Sequence, residues 1–124
     1  MARILVIDDE GQIRTILRTI LVQLGHEVLE ATSGSDGIRV YQERPADLVI
    51  TDMFMPVGSG LGCITELRRL NPGVRIIAMS GGGTSTDLLE MALGLGADCT
   101  FSKPFHLGEM LAAIQEELRA RRAA

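Results

Sequence analysis

The chain has 124 residues, of which 46% are hydrophobic and 23% are charged, as in an ordinary globular protein. A chain of this length can bury a core without disulfides or a structural metal, and we predict a single domain over residues 1–124. The net charge of −4 excludes a general electrostatic attraction to nucleic acid. One basic cluster, formed by Arg119, Arg121 and Arg122, is typical of a solvated helix end.

The amino terminus lacks the pattern of a signal peptide, because a short apolar run leads directly into two aspartates. No segment approaches the roughly 18 apolar residues of a membrane-spanning helix. Cys63 and Cys99 show no metal-ligand spacing, and we predict that both are reduced and structural. These observations predict a cytoplasmic protein without membrane contact.

The first predicted strand, residues 4–7, is apolar throughout and ends at Asp8 and Asp9. The helix after it has one apolar face, with residues at helical spacing: Ile13, Ile16, Leu17, Ile20, Leu21 and Leu24. Gly25 occupies the position just past the helix, where glycine commonly ends it.

The middle of the chain repeats the alternation of strand and helix. Residues 27–31 predict a second strand, and residues 35–43 predict a helix that stops before Pro45. A third strand over residues 47–51 leads to Asp52, which enters a loop rich in glycine and proline.

The last elements follow the same order: a helix over 61–70, a strand over 74–79 ending at Ser80, a helix starting near 84–86, and a strand over 99–102 before Lys103. The final helix has an apolar face formed by Leu107, Met110, Leu111, Ile114 and Leu118. Regular alternation of this kind predicts an α/β fold, in which a parallel sheet carries helices on both faces.

Polar residues stand at the ends of four predicted strands: Asp8 and Asp9, Asp52, Ser80, and Lys103. Ligands bind beyond the carboxyl ends of parallel strands, so we expect these side chains to meet in one crevice. The three carboxylates form an all-oxygen ligand set that suits Mg²⁺. No histidine or cysteine stands at a strand end, which argues against zinc.

This set of residues predicts phosphoryl chemistry. A carboxylate can be the nucleophile and form an aspartyl-phosphate. Asp52 is the best candidate, because a central strand delivers it into the flexible loop rich in glycine and proline. Lys103 supplies a positive charge, Ser80 a hydrogen-bond donor and Gly81 an accessible backbone amide for the phosphoryl oxygens. Each aspartate alone is equally well explained as the N-cap of the next helix, so the prediction depends on the whole set.

At these residues the chain resembles the receiver domain of bacterial two-component response regulators. The likeness covers essentially the whole chain, through residues 4–10, 47–52, 55–56, 60, 79–80, 96–98 and 103–105. The resemblance implies a flavodoxin-like, doubly wound sheet of five parallel strands in the order 2-1-3-4-5, with five helices. It also implies that residues 1–124 form one receiver domain.

The resemblance assigns separate roles to the metal-site residues. Asp9, Asp52 and the backbone carbonyl of Phe54 would bind Mg²⁺ directly, and Asp8 would act through a water molecule. Phe54 also stands where many relatives have a smaller or polar residue. We hypothesise that it impedes the attacking water and prolongs the life of the aspartyl-phosphate.

The resemblance further implies that Asp52 accepts phosphate from the phosphohistidine of a sensor kinase. Ser80 and Lys103, with the amide of Gly81, would hold the phosphoryl oxygens. They would couple phosphorylation to the surface formed by the fourth helix, fifth strand and fifth helix. Such a chain is a phosphoacceptor rather than a turnover enzyme.

Partners follow from this assignment. We expect a sensor histidine kinase and a downstream protein target or phosphotransfer protein, but no DNA binding by this chain. In the fourth helix, Leu88, Met91, Ala92 and Leu95 form the predicted buried stripe, and Leu89 and Leu93 lie off it. That pair is either incidental surface apolarity or a contact for a partner or a phosphorylation-dependent dimer.

Besides Phe54, two features depart from the family pattern. Thr100 occupies the position of the usual switch aromatic, and alternation along the strand would turn Phe101 toward the opposite face of the sheet. The segment Gly81-Gly82-Gly83 is about one residue longer than usual, and we expect it to be mobile.

Other functions are less consistent with the sequence. A stand-alone regulator is preferred over a receiver excised from a larger transcription factor or hybrid kinase. A flavin-binding electron carrier would need a hydroxyl- and glycine-rich loop where this chain has Asp8, Asp9 and Glu10. A Mg²⁺-dependent phosphohydrolase normally has its nucleophilic aspartate at the end of the first strand and a second aspartate two residues later. After Asp8 and Asp9 this chain has glutamate at position 10 and glycine at position 11, so that pattern is absent.

Overall fold

The computed structural model describes residues 1–53, 60–81 and 86–123. In these ranges, strands and helices alternate along the chain. The strands are β1 (Arg3–Ile7), β2 (Glu27–Ala31), β3 (Leu48–Asp52), β4 (Arg75–Ser80) and β5 (Cys99–Ser102). The helices are α1 (Gly11–Gln23), α2 (Gly34–Glu43), α3 (Gly60–Leu70), α4 (Thr86–Leu95) and α5 (Leu107–Ala123).

The strands form one parallel sheet in the order β2-β1-β3-β4-β5, which confirms the predicted flavodoxin-like topology. The register aligns Ile7 with Thr51, Asp52 with Met79, and Ser80 with Ser102. The carboxyl ends of the four neighbouring strands β1, β3, β4 and β5 therefore lie at one edge of the sheet.

Side chains alternate between two core layers, as the pleat of each strand requires. One layer joins Ile4 and Val6 of β1 to apolar residues of α1 and α5. The other joins Leu5 and Ile7 to apolar residues of α2, α3 and α4. The sheet is thus covered on both faces, which explains why the central strands are apolar throughout.

Helix α1 differs from the prediction at two positions of its apolar face. Leu17 and Leu21 are fully buried, but Ile16 is 47% exposed and Leu24 is 50% exposed. Leu24 is the C-cap, so it lies past the last turn that packs on the sheet. Gly25 follows with a φ of +91°, which confirms that the helix ends through a left-handed glycine.

The predicted buried stripe of α4 is also partly wrong. Leu88, Leu89 and Ala92 face the core, whereas Met91 and Leu95 are exposed together with Leu93. The apolar residues of this helix outnumber those that one face can bury, so helical spacing alone did not fix its rotation about its axis.

Two further features complete the description of the fold. The Lys103–Pro104 peptide bond is cis. Within the described ranges, each helix is too short or too polar to cross a bilayer.

Candidate metal and phosphoryl site

Asp8 lies directly after β1 and is fully buried. Its amide donates to the carbonyl of Ala31 at 3.1 Å, which extends the β1–β2 pairing by one residue. Its carboxylate accepts a hydrogen bond at each oxygen, from the amide of Glu10 at 2.9 Å and from Lys103 Nζ at 2.7 Å. Burial raises the pKa of Asp8, and these hydrogen bonds offset only part of that effect.

The N-cap alternative does not apply to Asp8. Helix α1 has Glu10 as its N-cap residue, and Glu10 makes no side-chain capping hydrogen bond. Its carboxylate instead lies 3.0 Å from Lys103 Nζ. Asp8 is therefore not the N-cap of α1, and its carboxylate contacts Lys103 in the crevice.

Asp52 is the last residue of β3 and is only 3% exposed. One of its carboxylate oxygens lies 3.5 Å from Lys103 Nζ. Such a nearly buried carboxylate is held at the edge of the sheet by the strand itself, because Asp52 still pairs in register with Met79 of β4. This places Asp52 beside Asp8, as the sequence predicted.

Lys103 connects the acidic residues. Its ammonium lies within 3.5 Å of carboxylate oxygens of Asp8, Glu10 and Asp52, and its side chain is 10% exposed. Burial opposes the charge, but the hydrogen bonds that Lys103 donates to Asp8 and Glu10, with the negative charges of Asp8 and Asp52, outweigh burial and raise the pKa of Lys103. Its backbone amide donates to the carbonyl of Ser80 at 2.7 Å, so β4 fixes the lysine at the rim.

Ser80 and Gly81 complete the described rim. Ser80 is the last residue of β4, is 2% exposed and pairs with Ser102 of β5. A Cβ at Gly81 would meet no atom within 4 Å, so the backbone there borders open space. Both residues lie at the edge where the sequence placed them, and their contacts with a phosphoryl group stay predictions.

The carboxylates that the structure groups together differ from the predicted set in one residue. Asp8, Glu10 and Asp52 offer oxygens that all lie within 4.8 Å of one another, whereas Asp9 is exposed and outside this group. Asp9 lies in the turn after β1 and is exposed, whereas the longer side chain of Glu10 reaches back across the turn to Lys103. Sequence reasoning quoted Glu10 in a motif but did not assign it to the site.

The metal prediction also involves residues that lie outside the described ranges. Phe54, Gly82 and Gly83 are among them, so the metal contact of the Phe54 carbonyl and the length of the glycine loop stay predictions. The described donors fit Mg²⁺, because carboxylate oxygens are its preferred protein ligands. Three carboxylates against one ammonium leave the cluster with an excess of negative charge that a divalent cation would balance.

The predicted departure at β5 is confirmed. Phe101 packs in the core layer of α1 and α5, with its ring 6.3 Å from the ring of Phe105 in an edge-to-face arrangement. Thr100 pairs with Ala78, which belongs to the opposite core layer. The aromatic side chain therefore lies on the other face of the sheet from the residue at the usual switch position.

Comparison with known proteins decides the family. The model of the response regulator receiver domain matches residues 4–115. The chain belongs to this family. It is a receiver domain of two-component response regulators, and the acidic cluster lies where the carboxyl ends of its strands meet.

Relatives of this receiver domain include both short and long proteins. It is 32% identical over 115 residues to the chemotaxis protein CheY of Thermotoga maritima, covering 92% of this chain and 95% of CheY. It is 37% identical over 119 residues to the DNA-binding transcriptional regulator NtrC of Azospirillum brasilense, covering 96% of this chain and 24% of NtrC. The chain spans about a quarter to about half of the length of the curated transcriptional regulators that it matches.

The fold has a close match among solved structures. A CheY-like receiver domain protein from Methanospirillum hungatei JF-1 superposes with a TM-score of 0.93 at 27% sequence identity. The match covers 99% of this chain and 98% of that chain. The sheet order and the layering of the helices are thus those of receiver domains.

Proposed function

We propose that Asp52 of this receiver domain accepts a phosphoryl group from the phosphohistidine of a sensor kinase. The observation that carries the proposal is the position of Asp52, a nearly buried carboxylate 3.5 Å from the Lys103 ammonium and beside two further carboxylates. A buried cation next to a nucleophilic carboxylate can stabilise the negative charge of an arriving phosphoryl group.

The reaction transfers one phosphoryl group between two protein side chains. A carboxylate oxygen of Asp52 attacks the phosphorus, the bond between phosphorus and the donor's imidazole nitrogen breaks, and its electron pair stays on that nitrogen. Lys103 and Ser80 bind phosphoryl oxygens, and Gly81 offers its backbone amide. The domain is then a stoichiometric phosphoacceptor and not a turnover enzyme.

Asp8, Glu10 and Asp52 are the described residues that would hold Mg²⁺, since their oxygens lie within 4.8 Å of one another. When bound, Mg²⁺ would neutralise part of the phosphoryl charge and orient its oxygens. The proposal keeps Asp9 and the carbonyl of Phe54, which the family resemblance implies, as further ligands. Lys103 supplies the compensating charge of the same carboxylates in the metal-free protein.

A donor protein must contact the rim of this site. Ile16, which is 47% exposed, lines a cavity of about 280 Å³ with Ile13, Lys103, Pro104 and Phe105. This apolar rim lies next to the acceptor site through Lys103. We therefore propose it as the surface that the kinase contacts while its histidine reaches Asp52.

The domain signals through a second protein contact in this proposal. Met91, Leu93 and Leu95 are exposed on α4, and three large apolar residues on one short helix favour a surface for a downstream partner or a second copy. Its relatives include CheY, which it matches over 95% of that protein, and NtrC, of which it matches 24%; the proposed contact applies to a receiver of either kind.

Intact mass measurement tests the acceptor. Incubation with Mg²⁺ and phosphoramidate is expected to add one phosphate to the wild-type protein and none to the Asp52→Asn variant. The matched control is Asp36→Asn, since Asp36 is a surface residue of α2 paired with Arg39. The proposal fails if Asp52→Asn takes up phosphate like the control, or if the wild type takes up none from phosphoramidate or from a kinase.

Phosphotransfer kinetics test the kinase surface. Ile16→Glu places a charge on the apolar rim, and we expect transfer from a purified kinase carrying phosphohistidine to slow by at least about tenfold, far more than phosphorylation by phosphoramidate. Val22→Glu is the control, because Val22 is 53% exposed on the same helix but does not line the rim cavity. Equal rates of kinase transfer in the two variants would contradict this surface.

A further inference from the structure

Arg14 lies one turn into α1, and its side chain returns to the end of β1. Its Nη1 donates to the backbone carbonyl of Asp8 at 2.7 Å. Its Nε donates to the Glu30 carboxylate on β2 at 3.2 Å. The side chain is 20% exposed, so these contacts form in a partly desolvated setting. Arg14 thus bridges the site backbone to the neighbouring strand.

Other described contacts hold the side chains and the start of the turn between β1 and α1: the Asp8 amide donates to the Ala31 carbonyl, and Lys103 pairs with the carboxylates of Asp8 and Glu10. The pairing of β1 with β3 ends at Ile7 and Thr51, one residue before Asp8. The N-cap residue Glu10 makes no capping hydrogen bond with its side chain. Within the turn, the Glu10 amide donates to the Asp8 carboxylate, and the guanidinium of Arg14 donates to the Asp8 backbone carbonyl.

We propose that Arg14 is a positioning residue for the carboxylate cluster. By fixing the Asp8 carbonyl against Glu30, it sets the direction in which the carboxylates of Asp8 and Glu10 enter the crevice. It thereby increases the affinity of the cluster for a divalent cation. This inference rests on the proposed function, because it concerns the metal that assists transfer to Asp52.

The direction in which Mg²⁺ affinity changes when Arg14 is replaced distinguishes a positioning role from simple charge repulsion. Arg14 is a cation close to a site that would bind a cation, so Coulomb repulsion alone predicts tighter metal binding when its charge is removed. Loss of positioning predicts weaker binding instead. A planar guanidinium can donate to a carbonyl and a carboxylate at once, whereas a lysine ammonium offers a single point charge. Arg14→Lys therefore keeps the charge and loses the bridge.

Arg18 provides a matched control on the same helix. It donates to the other oxygen of the Glu30 carboxylate at 2.8 Å. In the contacts described for these residues, its guanidinium reaches Glu30 but not Asp8. Arg18→Gln therefore removes one nearby positive charge and one bond to Glu30 while the bridge to Asp8 stays in place.

Calorimetric titration with Mg²⁺ tests the inference on the wild type and on Arg14→Gln, Arg14→Lys and Arg18→Gln. The loss of one charged hydrogen bond is expected to raise the Kd for Mg²⁺ about three- to tenfold in both Arg14 variants. Arg18→Gln is expected to stay within about twofold of the wild type. Thermal unfolding in EDTA identifies a temperature at which each variant is folded, and the titrations are done at that temperature. If Arg14→Gln does not fold, Arg14→Lys alone tests the role of Arg14.

Two results would overturn the inference. One is a Kd in the Arg14 variants equal to or lower than that of the wild type, and the other is an equal rise in Arg18→Gln. Phosphate uptake by the wild type is followed by intact mass in parallel. If the wild type binds no Mg²⁺ and accepts no phosphate, the proposed function is contradicted. If the wild type does both and the Arg14 variants bind Mg²⁺ as tightly, only the role of Arg14 is contradicted.

Discussion

Lys103 is the single lysine of the sequence, and it joins three carboxylates at the site. In the metal-free protein it supplies the positive charge that lets Asp8 stay buried beside Asp52. Removal of Lys103 would leave like charges facing one another in a setting of low dielectric constant, and removal of the carboxylates would leave a nearly buried ammonium unpaired. Lys103 therefore stabilises the site in addition to its proposed role in phosphoryl transfer.

The pKa of Lys103 is expected to lie above the ordinary lysine value in the folded, metal-free protein. The ion pairs then stabilise the fold at pH values below the ordinary lysine pKa, and this stabilisation is lost as the pH rises through the raised pKa. Because the chain has one lysine, labelling lysine with ¹³C at its ε carbon gives one signal to titrate in EDTA. The reference is the same signal in the urea-denatured chain.

Two variants test whether the ion pairs, and not the fold in general, raise the pKa of Lys103. Asp8→Asn is expected to lower the titration midpoint of Lys103, because Asp8 supplies its shortest ion pair at 2.7 Å. Asp36→Asn on α2 is expected to leave the midpoint unchanged. A wild-type midpoint at or below that of the denatured chain would contradict the described contacts.

Residue-level prediction from sequence succeeded where a strand fixed the position. Asp8, Asp52 and Lys103 stand directly at strand ends, so parallel pairing alone brings them together. Glu10 and Asp9 stand in a turn, where no periodicity sets the direction of a side chain. The exposure of Asp9 and the contact of Glu10 with Lys103 needed coordinates.

At the scale of elements, α2 approaches the sheet closely at Gly37. A Cβ at this position would lie 2.9 Å from Cγ1 of Ile7 and closer still to Cδ1 of the same residue. Ile7 is fully buried and directly precedes Asp8. The absence of a side chain at Gly37 thus lets the helix pack against the strand that carries the site.

Gly37→Ala is expected to lower the free energy of unfolding by about 1–3 kcal/mol, because the fully buried Ile7 would have to shift to admit the added Cβ. Gly94→Ala is the control on α4, where an added Cβ meets no atom within 4 Å. This control is expected to be more stable than wild type by about 0.5–1 kcal/mol, since alanine favours a helix. Urea denaturation measures both, and a Gly37→Ala variant as stable as wild type would contradict the close packing.

The strands were easier to predict than the faces of the helices. β2 and β5 were predicted with their observed bounds, and the other strands agree within about one residue, because short apolar runs between turn residues have few alternatives. Helical spacing gave the helices but assigned Ile16, Met91 and Leu95 wrongly to buried faces. How wide a face a helix buries depends on its neighbours, which the spacing of one helix does not contain.

At the scale of the whole molecule, the site depends on four neighbouring strands of the sheet, β1, β3, β4 and β5. Asp8 and Lys103 form their hydrogen bond across 95 positions of sequence, and β3 and β4 lie between the strands that carry them. Alternation of strands and helices predicted a parallel sheet from the residues alone. The strand order came from the resemblance to receiver domains, because alternation is compatible with several orders.

Asp52 is the proposed phosphoacceptor, and no other carboxylate of the cluster is expected to accept the phosphoryl group. Borohydride reduces an acyl phosphate to an alcohol, so it marks the phosphorylated residue permanently. After incubation with Mg²⁺ and phosphoramidate, reduction and peptide mapping by mass spectrometry, we predict homoserine at position 52 alone. Homoserine at position 8 or 9, 5-hydroxynorvaline at position 10, or no homoserine at position 52 in a protein that carries phosphate would contradict this assignment.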